Sequence, residues 1–203
     1  NGAIVTPYPW PTFGLYFDEG SSHCTAFGNI VVRSGVGAII NPGEFNTIEN
    51  NVFVDNAIAL YFQTASPFDK VTPPLGGNRV VKNIVCLRKP EGIAFRFTNW
   101  DQQTFAESNS NLFWSDPGAA IIETQGPSGS PLVKQSLAQW QQAGYDRNSE
   151  TADPLFVNAT RDDYLLAESS PAKALGIQSI DVADAGIRPE WVTAIGLARG
   201  DPK

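Results

Sequence analysis

Apolar and polar positions alternate in short runs along most of this chain, and an asparagine introduces several of the runs. The run that starts at Asn51 continues with Val-Phe-Val, and the run that starts at Asn29 continues with Ile-Val-Val. These two asparagines are 22 residues apart, and similar runs start at Asn83 and Asn111. The pattern therefore indicates an internal repeat whose period is close to 22 residues.

A repeat of this length has room for three short strands and three turns, and it lacks the 3.6-residue periodicity of helical repeats. When such units stack, each strand pairs with the strands above and below at about 4.8 Å. We therefore expect an all-β chain that forms a parallel β-helix, a solenoid, with one short peripheral helix. A β-sandwich is the alternative, but it gives no reason for a fixed spacing of asparagines.

Asparagine suits a fixed position in such a stack for two reasons. It tolerates left-handed backbone geometry at a tight corner, and its amide can bond to the asparagine of the next coil. We expect Asn29 and Asn51 to occupy equivalent corners that are separated by one inter-strand spacing.

The repeat also predicts how the chain is organised. Residues 1–203 are expected to form a single β-helix domain, the C-terminal part of a longer β-helix, because the sequence contains no methionine. We expect loop over 1–13, which holds three prolines, and regular rungs over 14–124. Residues 125–203 should form a capping region. Within it, 136–144 reads as a short amphipathic helix on the side of the coil, and the tail from Asp153 should cover the C-terminal end.

Charge and composition exclude several classes of function. The net charge is −7, and the 14 basic residues are scattered, so we expect no nucleic-acid partner. No apolar run approaches the ~20 residues that span a bilayer, so we expect no membrane partner. With His23 as the only histidine and two cysteines, Cys24 and Cys86, we expect no metal and no cofactor. Whether the two cysteines form a disulfide stays open.

Strand alternation predicts one functional face on the stack. If Leu15 and Phe17 point into the core, their neighbours point outward. The first outward row is then Tyr16, Ile39, Tyr61, Arg96 and Ile121, and the second is Asp18, Asn41, Gln63, Thr98 and Glu123. Trp100 follows the Arg96 strand and should lie near the same face. Aromatic, amide and acidic side chains together suit a sugar chain, although a plain solvated face is the alternative.

Four segments carry a family resemblance: Gly-Leu-Tyr-Phe-Asp-Glu-Gly-Ser-Ser at 14–22, Ser-Leu-Ala-Gln-Trp-Gln-Gln-Ala-Gly-Tyr-Asp at 136–146, Ala-Asp-Pro-Leu-Phe-Val at 152–157 and Ser-Pro-Ala-Lys-Ala-Leu-Gly at 170–176. The chain resembles the C-terminal part of secreted right-handed parallel β-helix proteins, the carbohydrate-active group that includes glycoside hydrolases and pectate-lyase-like enzymes. The resemblance implies a right-handed coil, a glycan substrate or ligand, and a secreted or periplasmic location.

Glycoside hydrolysis needs two carboxyl groups, roughly 5–9.5 Å apart. Asp18 is the best single candidate, with Glu19, Glu44 or an acid from preceding rungs as its partner. Glu123 lies four strands away, about 19 Å at the usual strand spacing, and cannot be that partner. A polysaccharide lyase needs Ca²⁺ or a basic residue, and Arg96 is the one cation expected on this face. We therefore favour a hydrolase, with a non-catalytic carbohydrate-binding or structural module as the alternative and a lyase as the second alternative.

We expect the remaining site residues to bind the glycan: Tyr16, Asn41, Tyr61, Gln63, Arg96 and Trp100. The N-terminal end of the stack raises a separate expectation. An open end exposes unpaired backbone groups, and a proline-rich segment cannot satisfy them. Missing N-terminal rungs or another protein chain should therefore cover this end.

Overall fold

Strands make up most of the regular structure in the computed structural model, which describes residues 12–63, 74–89, 92–115, 121–127, 130–183 and 185. The first sheet contains β1 (Phe13–Asp18), β4 (Val36–Asn41), β7 (Ile58–Phe62), β10 (Ile93–Thr98), β13 (Ile122–Gln125) and β14 (Leu132–Gln135). The second contains β2 (Thr25–Phe27), β5 (Thr47–Glu49), β8 (Asn78–Val81) and β11 (Phe105–Asn109). The third contains β3 (Ile30–Val32), β6 (Val52–Val54), β9 (Ile84–Leu87), β12 (Leu112–Ser115) and β15 (Glu150–Thr151). A separate antiparallel pair is formed by β16 (Phe156–Asn158) and β17 (Asp163–Leu166).

Consecutive strands enter the three sheets in turn, so that every third strand pairs in parallel within one sheet. We call one passage through the three sheets a circuit, and β1, β2 and β3 form the first circuit. Within these sheets, β13 and β14 form the antiparallel exception among the described strands. The prediction of an all-β chain with parallel sheets and one short helix is therefore confirmed.

Apolar side chains fill the space between the sheets. In the first sheet, Leu15, Ala38, Leu60, Phe95 and Ile122 lie in one register row. The ring centroids of Phe62 and Phe97 in the next row are 4.9 Å apart, and the rings are stacked. The backbone comes close at Gly37, where an added Cβ would lie 2.5 Å from the Ala59 carbonyl oxygen and 2.7 Å from the Phe53 ring. Only glycine fits there.

The asparagines of successive circuits are hydrogen-bonded to one another, as predicted. The backbone N–H and the side-chain amide of Asn29 both donate to Asn51 Oδ1, at 3.0 and 2.9 Å. Asn51 donates in the same way to Asn83, and Asn83 to Asn111. We call this row of four residues the asparagine ladder. Its last amide, that of Asn111, donates to the buried carboxylate of Asp146 at 2.8 Å.

The left-handed backbone geometry, however, belongs to the residue before each ladder asparagine. The φ angles of these preceding residues are 68° at Gly28, 54° at Asn50, 54° at Lys82 and 55° at Ser110. The ladder asparagines lie at equivalent corners, as predicted, but the prediction that they themselves have left-handed backbone geometry is wrong. Their amides are positioned for bonding between circuits, and the chain bends one residue earlier.

The described part of the chain contains one α-helix, α1 (Leu137–Gln142), together with 3-10 turns at Gln102–Thr104, Ala159–Arg161 and Pro171–Leu175. Ser136 and Gln139 form a capping box at the start of α1. We expected this helix to pack on the side of the stack, but it does not. Trp140 is 1% exposed and stacks on the inward-facing Phe97, so the helix packs on the core after the last circuit.

The described part of the C-terminal tail packs on the outer face of the third sheet. Tyr164, Leu166 and Ile177 pack against the outward side chains of the third sheet, including Val52, Ile84 and Leu112. The middle strands β6 and β9 are consequently buried on both faces, which explains why they are continuously apolar. Most of the acidic, proline-bearing segment that ends the tail, which we expected to cover the C-terminal end, lies outside the described ranges. Residues 1–11 and 186–203, which include most of the expected N-terminal loop and the end of the tail, lie outside the described ranges.

Candidate functional site

The predicted site residues lie on the outward face of the first sheet. In register, the first row is Tyr16, Ile39, Tyr61, Arg96 and Glu123, and the second row begins with Asp18 and Asn41. The prediction that Ile121 ends the first row is wrong. Ile122 takes the inward position beside Phe95, and Glu123 consequently pairs with Arg96 instead of lying beside Thr98.

This face is more buried in its middle than strand alternation predicts. Ile39 is 3% exposed, because it packs in a second apolar cluster with Val36, Ile58 and Ile93. Tyr61 is half-buried against the same cluster, and Gln63, at the end of β7, is also half-buried. Tyr16 remains 46% exposed, and Asp18 is exposed. Access to this face is therefore greatest at the β1 edge.

Asn41 connects the two exposed residues at this edge. Its Nδ2 donates to the Tyr16 hydroxyl at 3.0 Å and lies 3.4 Å from Asp18 Oδ1. Asn41 is 7% exposed, and its Oδ1 is buried. This oxygen has no hydrogen-bond partner in the described part of the protein. A buried acceptor of this kind costs free energy until a donor reaches it. The site thus contains an unused acceptor between an aromatic ring and a carboxylate.

The Tyr16 ring packs against a neighbouring aromatic ring, that of Phe13. Phe13 contacts it edge to face, with ring centroids 4.9 Å apart. Partial burial raises the pKa of the Tyr16 hydroxyl above its ordinary value of 10.0, the hydrogen bond from Asn41 lowers it, and the Asp18 charge raises it again. The hydroxyl is therefore protonated at neutral pH and can act as a donor.

Asp18 also begins a tight turn. Its Oδ1 accepts from the backbone N–H of Glu19 at 3.0 Å, and its carbonyl oxygen accepts from Ser21. Glu19 and Gly20 follow with φ angles of 20° and 83°. Asp18 Oδ1 thus stabilises the turn and also lies beside the Asn41 amide. Both the functional and the structural interpretation of Asp18 stay compatible with this geometry.

The two candidate partner acids lie on different sides of Asp18. Glu19 is its direct neighbour in the turn and is exposed. Glu44 lies at the corner that leads into the second sheet, level with Ser22, whose hydroxyl accepts from the Glu44 N–H at 3.0 Å. Glu19 is therefore the nearer acid along the chain, and Glu44 is separated from Asp18 by the turn.

Arg96 is not free to bind an anionic ligand. Its Nε and Nη2 donate to Glu123 Oε2 at 2.8 and 2.6 Å, and Lys134 Nζ lies 3.1 Å from Oε1. Glu123 is 1% exposed. Burial alone would raise the pKa of Glu123, but the bonds from Arg96 and Lys134 outweigh it and lower the pKa. These ion pairs around the buried Glu123 carboxylate, which we call the triad, tie β14 to β10 and β13.

Trp100 lies in an aromatic cluster at the end of the core. Its ring centroid is 4.5 Å from Phe97, 5.2 Å from Trp140 and 5.6 Å from Tyr145. Asp18 is in β1, three strands from β10, or about 14 Å at the usual strand spacing. Trp100 therefore has an evident packing role, and the structure does not bring it together with Tyr16 and Asp18.

Sequence reasoning missed the partners that define these environments. Phe13, which supports Tyr16, falls in the segment expected to be loop, although it alternates with Leu15 and Phe17 in the sequence. The repeat does not predict the contact of Lys134 with Glu123, because Lys134 lies on the antiparallel strand β14. The buried acceptor of Asn41 depends on burial, which alternation alone does not give.

Three further findings limit the chemistry. Cys24 is exposed and Cys86 is buried, and the two do not form a disulfide. The described ranges hold no group of three or more His, Cys, Asp or Glu side chains arranged for a metal ion. Within those ranges, no helix has the length and apolar character to cross a bilayer.

The fold and site together define a chain of parallel sheets with one short helix and an exposed tyrosine-carboxylate edge. No protein-family model matches the chain, and comparisons with curated proteins and with solved structures give no significant match.

Proposed function

We propose that this chain is a right-handed parallel β-helix of the carbohydrate-active type. The three parallel sheets, each taking every third strand, support this proposal, as does the asparagine ladder that runs through successive circuits. The right hand follows from the strong general preference of parallel strand connections. A secreted or periplasmic location is part of the same proposal.

The function that the geometry supports best is glycan binding at the β1 edge by Tyr16, Asn41 and Asp18. The observation that carries it is the position of the Asn41 amide, 3.0 Å from the Tyr16 hydroxyl and 3.4 Å from Asp18 Oδ1, between two exposed side chains. A sugar presents many hydroxyl donors on an otherwise apolar ring. One such hydroxyl would donate to Asp18 while the exposed Tyr16 ring packs on the sugar face, and Asn41 would hold both side chains in position.

Hydrolysis by Asp18 is the second candidate. The exposure of the Asp18 carboxylate favours it, and Glu19 or Glu44 would supply the other carboxyl group. Lyase chemistry ranks lower, because the cation expected to act as base, Arg96, is held by Glu123. The same ion pair argues against a direct role of Arg96 in glycan binding.

The test is a binding screen on a glycan array, followed by titration calorimetry with the best ligand. Tyr16→Ala and Asn41→Ala should each lower the affinity at least tenfold, about 1.4 kcal/mol. Phe27→Ala is the matched control, since Phe27 is 55% exposed but lies on the second sheet, and it should bind like the wild type. If all three variants bind equally, the site is elsewhere.

Product analysis with the same ligands separates binding from catalysis. A hydrolase should release shorter sugars, and Asp18→Asn should abolish the release while the protein stays folded. Tight binding without cleavage would assign a binding module. Equal cleavage rates in the wild type and in Asp18→Asn would remove Asp18 from the mechanism.

A further inference from the structure

A pocket of about 270 Å³ lies beside β11, the last strand of the second sheet. Residues 105–109 line one side of it, and the turn that follows α1, at 144, 145, 147 and 148, lines the other. Its volume is close to the lower limit of small-molecule sites, which is about 300 Å³. Strand β1 belongs to another sheet and to the first circuit, so this pocket is separate from the glycan site proposed above.

Hydrogen bonds hold the turn in place against β11. The Asp146 N–H donates to Ser108 O at 2.7 Å, and the Asn148 N–H donates to Asn109 Oδ1 at 2.9 Å. The Asp146 carboxylate is fully buried. It accepts from the side chains of Ser108, Asn111, Trp140 and Ser149. The pocket is therefore preformed, and Asp146 is directed away from the neighbouring Arg147.

Arg147 contributes a cation to the lining of this pocket. It is exposed, and its guanidinium lies over Gly144, where an added Cβ would be 3.5 Å from Nη2. Among the described residues, neither its side chain nor its backbone N–H has a hydrogen-bond or ion-pair partner. Glu107, the acidic residue of the lining, bonds to Arg79 instead, at 3.0 Å. Both donor groups of Arg147 are thus available to an anion.

The surroundings favour a carboxylate as this anion. A guanidinium group binds carboxylate and phosphate equally well in a bidentate manner. Two acids lie nearby, however, because Glu107 is in the lining and the charge of Asp101 acts on Tyr145. Like charges repel, so these acids disfavour a phosphate dianion more than a carboxylate monoanion.

The remaining lining residues suit a ring that bears hydroxyl groups. The Tyr145 ring stacks on the buried Trp140 with centroids 4.3 Å apart, so its position is fixed. Burial raises the pKa of Tyr145 above its ordinary value of 10.0, and the Asp101 charge raises it further. The Tyr145 hydroxyl is therefore protonated at neutral pH. Asn109 and Asn148 add amide groups, which both donate and accept.

We propose that this pocket binds a sugar acid, with the ligand carboxylate on the Arg147 guanidinium and the ligand hydroxyls beside Tyr145, Asn109 and Asn148. Arginine supplies the charge selectivity, while the tyrosine and the amides recognise the sugar. The proposal does not rest on glycan binding at the β1 edge, because the two sites share no residue.

The test titrates the whole protein with glucuronate and follows the backbone amide signals by two-dimensional NMR. Signals of residues 144–148 should shift and saturate at millimolar concentration. Glucose, which has the same ring without the carboxylate, should bind at least tenfold more weakly. Equal binding of glucose, or tighter binding of inorganic phosphate than of glucuronate, would overturn the proposal.

Variants of the protein locate the site. Arg147→Ala should weaken glucuronate binding at least tenfold, and it should melt like the wild type because the side chain has no partner among the described residues. Arg161→Ala is the matched control, since Arg161 is an exposed arginine outside the lining, and it should bind glucuronate normally. Unchanged binding by Arg147→Ala would overturn the proposal. So would loss of binding in Tyr16→Ala, because it would place the sugar acid at the β1 edge.

Discussion

Each corner of the asparagine ladder divides two tasks between adjacent residues. The residue before the asparagine takes left-handed geometry, and the asparagine bonds to the neighbouring circuits. Glycine and asparagine tolerate the left-handed region, whereas lysine and serine are strained there. The strain at Lys82 and Ser110 persists because the buried amides on either side fix the chain.

Removing one ladder amide should be costly. Asn83 is fully buried, accepts from Asn51 and donates to Asn111, Ile48 O and Val81 O. Asn83→Ala leaves these groups unpaired, so we expect a loss of about 2–4 kcal/mol in the free energy of unfolding. The melting temperature should fall by roughly 5–15 °C.

Asn148→Ala is the control for this measurement, because Asn148 is exposed and its hydrogen bond uses the backbone N–H. It should melt within a degree or two of the wild type. A similar melting temperature for Asn83→Ala would show that the ladder does not stabilise the stack.

The strained corner at Ser110 gives the opposite expectation. Ser110→Gly removes the Cβ from a residue with φ of 55°, which should raise the free energy of unfolding by up to about 1 kcal/mol. Chemical denaturation with unchanged slope would measure the gain. Ser110→Ala keeps the Cβ and should bring no gain, so an equal effect of the two substitutions would contradict the strain argument.

At this scale the sequence predicts the asparagine contacts but not the residue that bends. The spacing of Asn29 and Asn51 was sufficient to pair them. Gly28 and Asn50 carry a signal for left-handed geometry, but Lys82 and Ser110 do not, because their conformation is imposed by the stack.

Among the elements, the β13–β14 hairpin differs most from what the repeat predicts. It ends the regular parallel pairing of the first sheet and brings Lys134 to Glu123. Helix α1 was predictable, because Ser136 and Gln139 give a capping-box pattern ahead of a glycine. The hairpin was not, since nothing in the repeat indicates that β14 pairs with β13 in the antiparallel direction.

The ion pairs of Glu123 with Arg96 and Lys134 make the β13–β14 hairpin sensitive to acid. The pKa of Glu123 is lowered from 4.5, so its contribution to stability is complete above that value and is lost as the pH falls through the lower, folded-state pKa. Glu123→Gln should therefore be less stable than the wild type at pH 7, and the difference between them should shrink below about pH 4.5.

Thermal melts between pH 7 and pH 3 would follow this difference. Glu150→Gln, at an exposed position on β15, is the control and should show a small difference at every pH. A gap between Glu123→Gln and the wild type that stays constant down to pH 3 would contradict the assigned role of the triad.

For the whole molecule, the sequence predicts the parallel sheets better than the segments that pack on them. Trp140 of α1 enters the core, and described residues of the tail pack on the third sheet. The apolar runs of β6 and β9 could have indicated an outer layer, because alternation is absent from them. The site was predictable as a row of outward residues, but the burial of Ile39 depends on a second apolar cluster, and the ion pairs of Glu123 depend on β14.

The directionality of the ladder has a consequence for how such a chain can change in length. Successive ladder asparagines are 22, 32 and 28 residues apart, yet every junction between them has the same bonds. The asparagine of each circuit thus accepts from the asparagine of the preceding circuit and donates to that of the following one, so the ladder has a fixed polarity. An added circuit that begins and ends at ladder asparagines would therefore preserve every junction, so the polarity of the ladder favours a change in length by whole circuits.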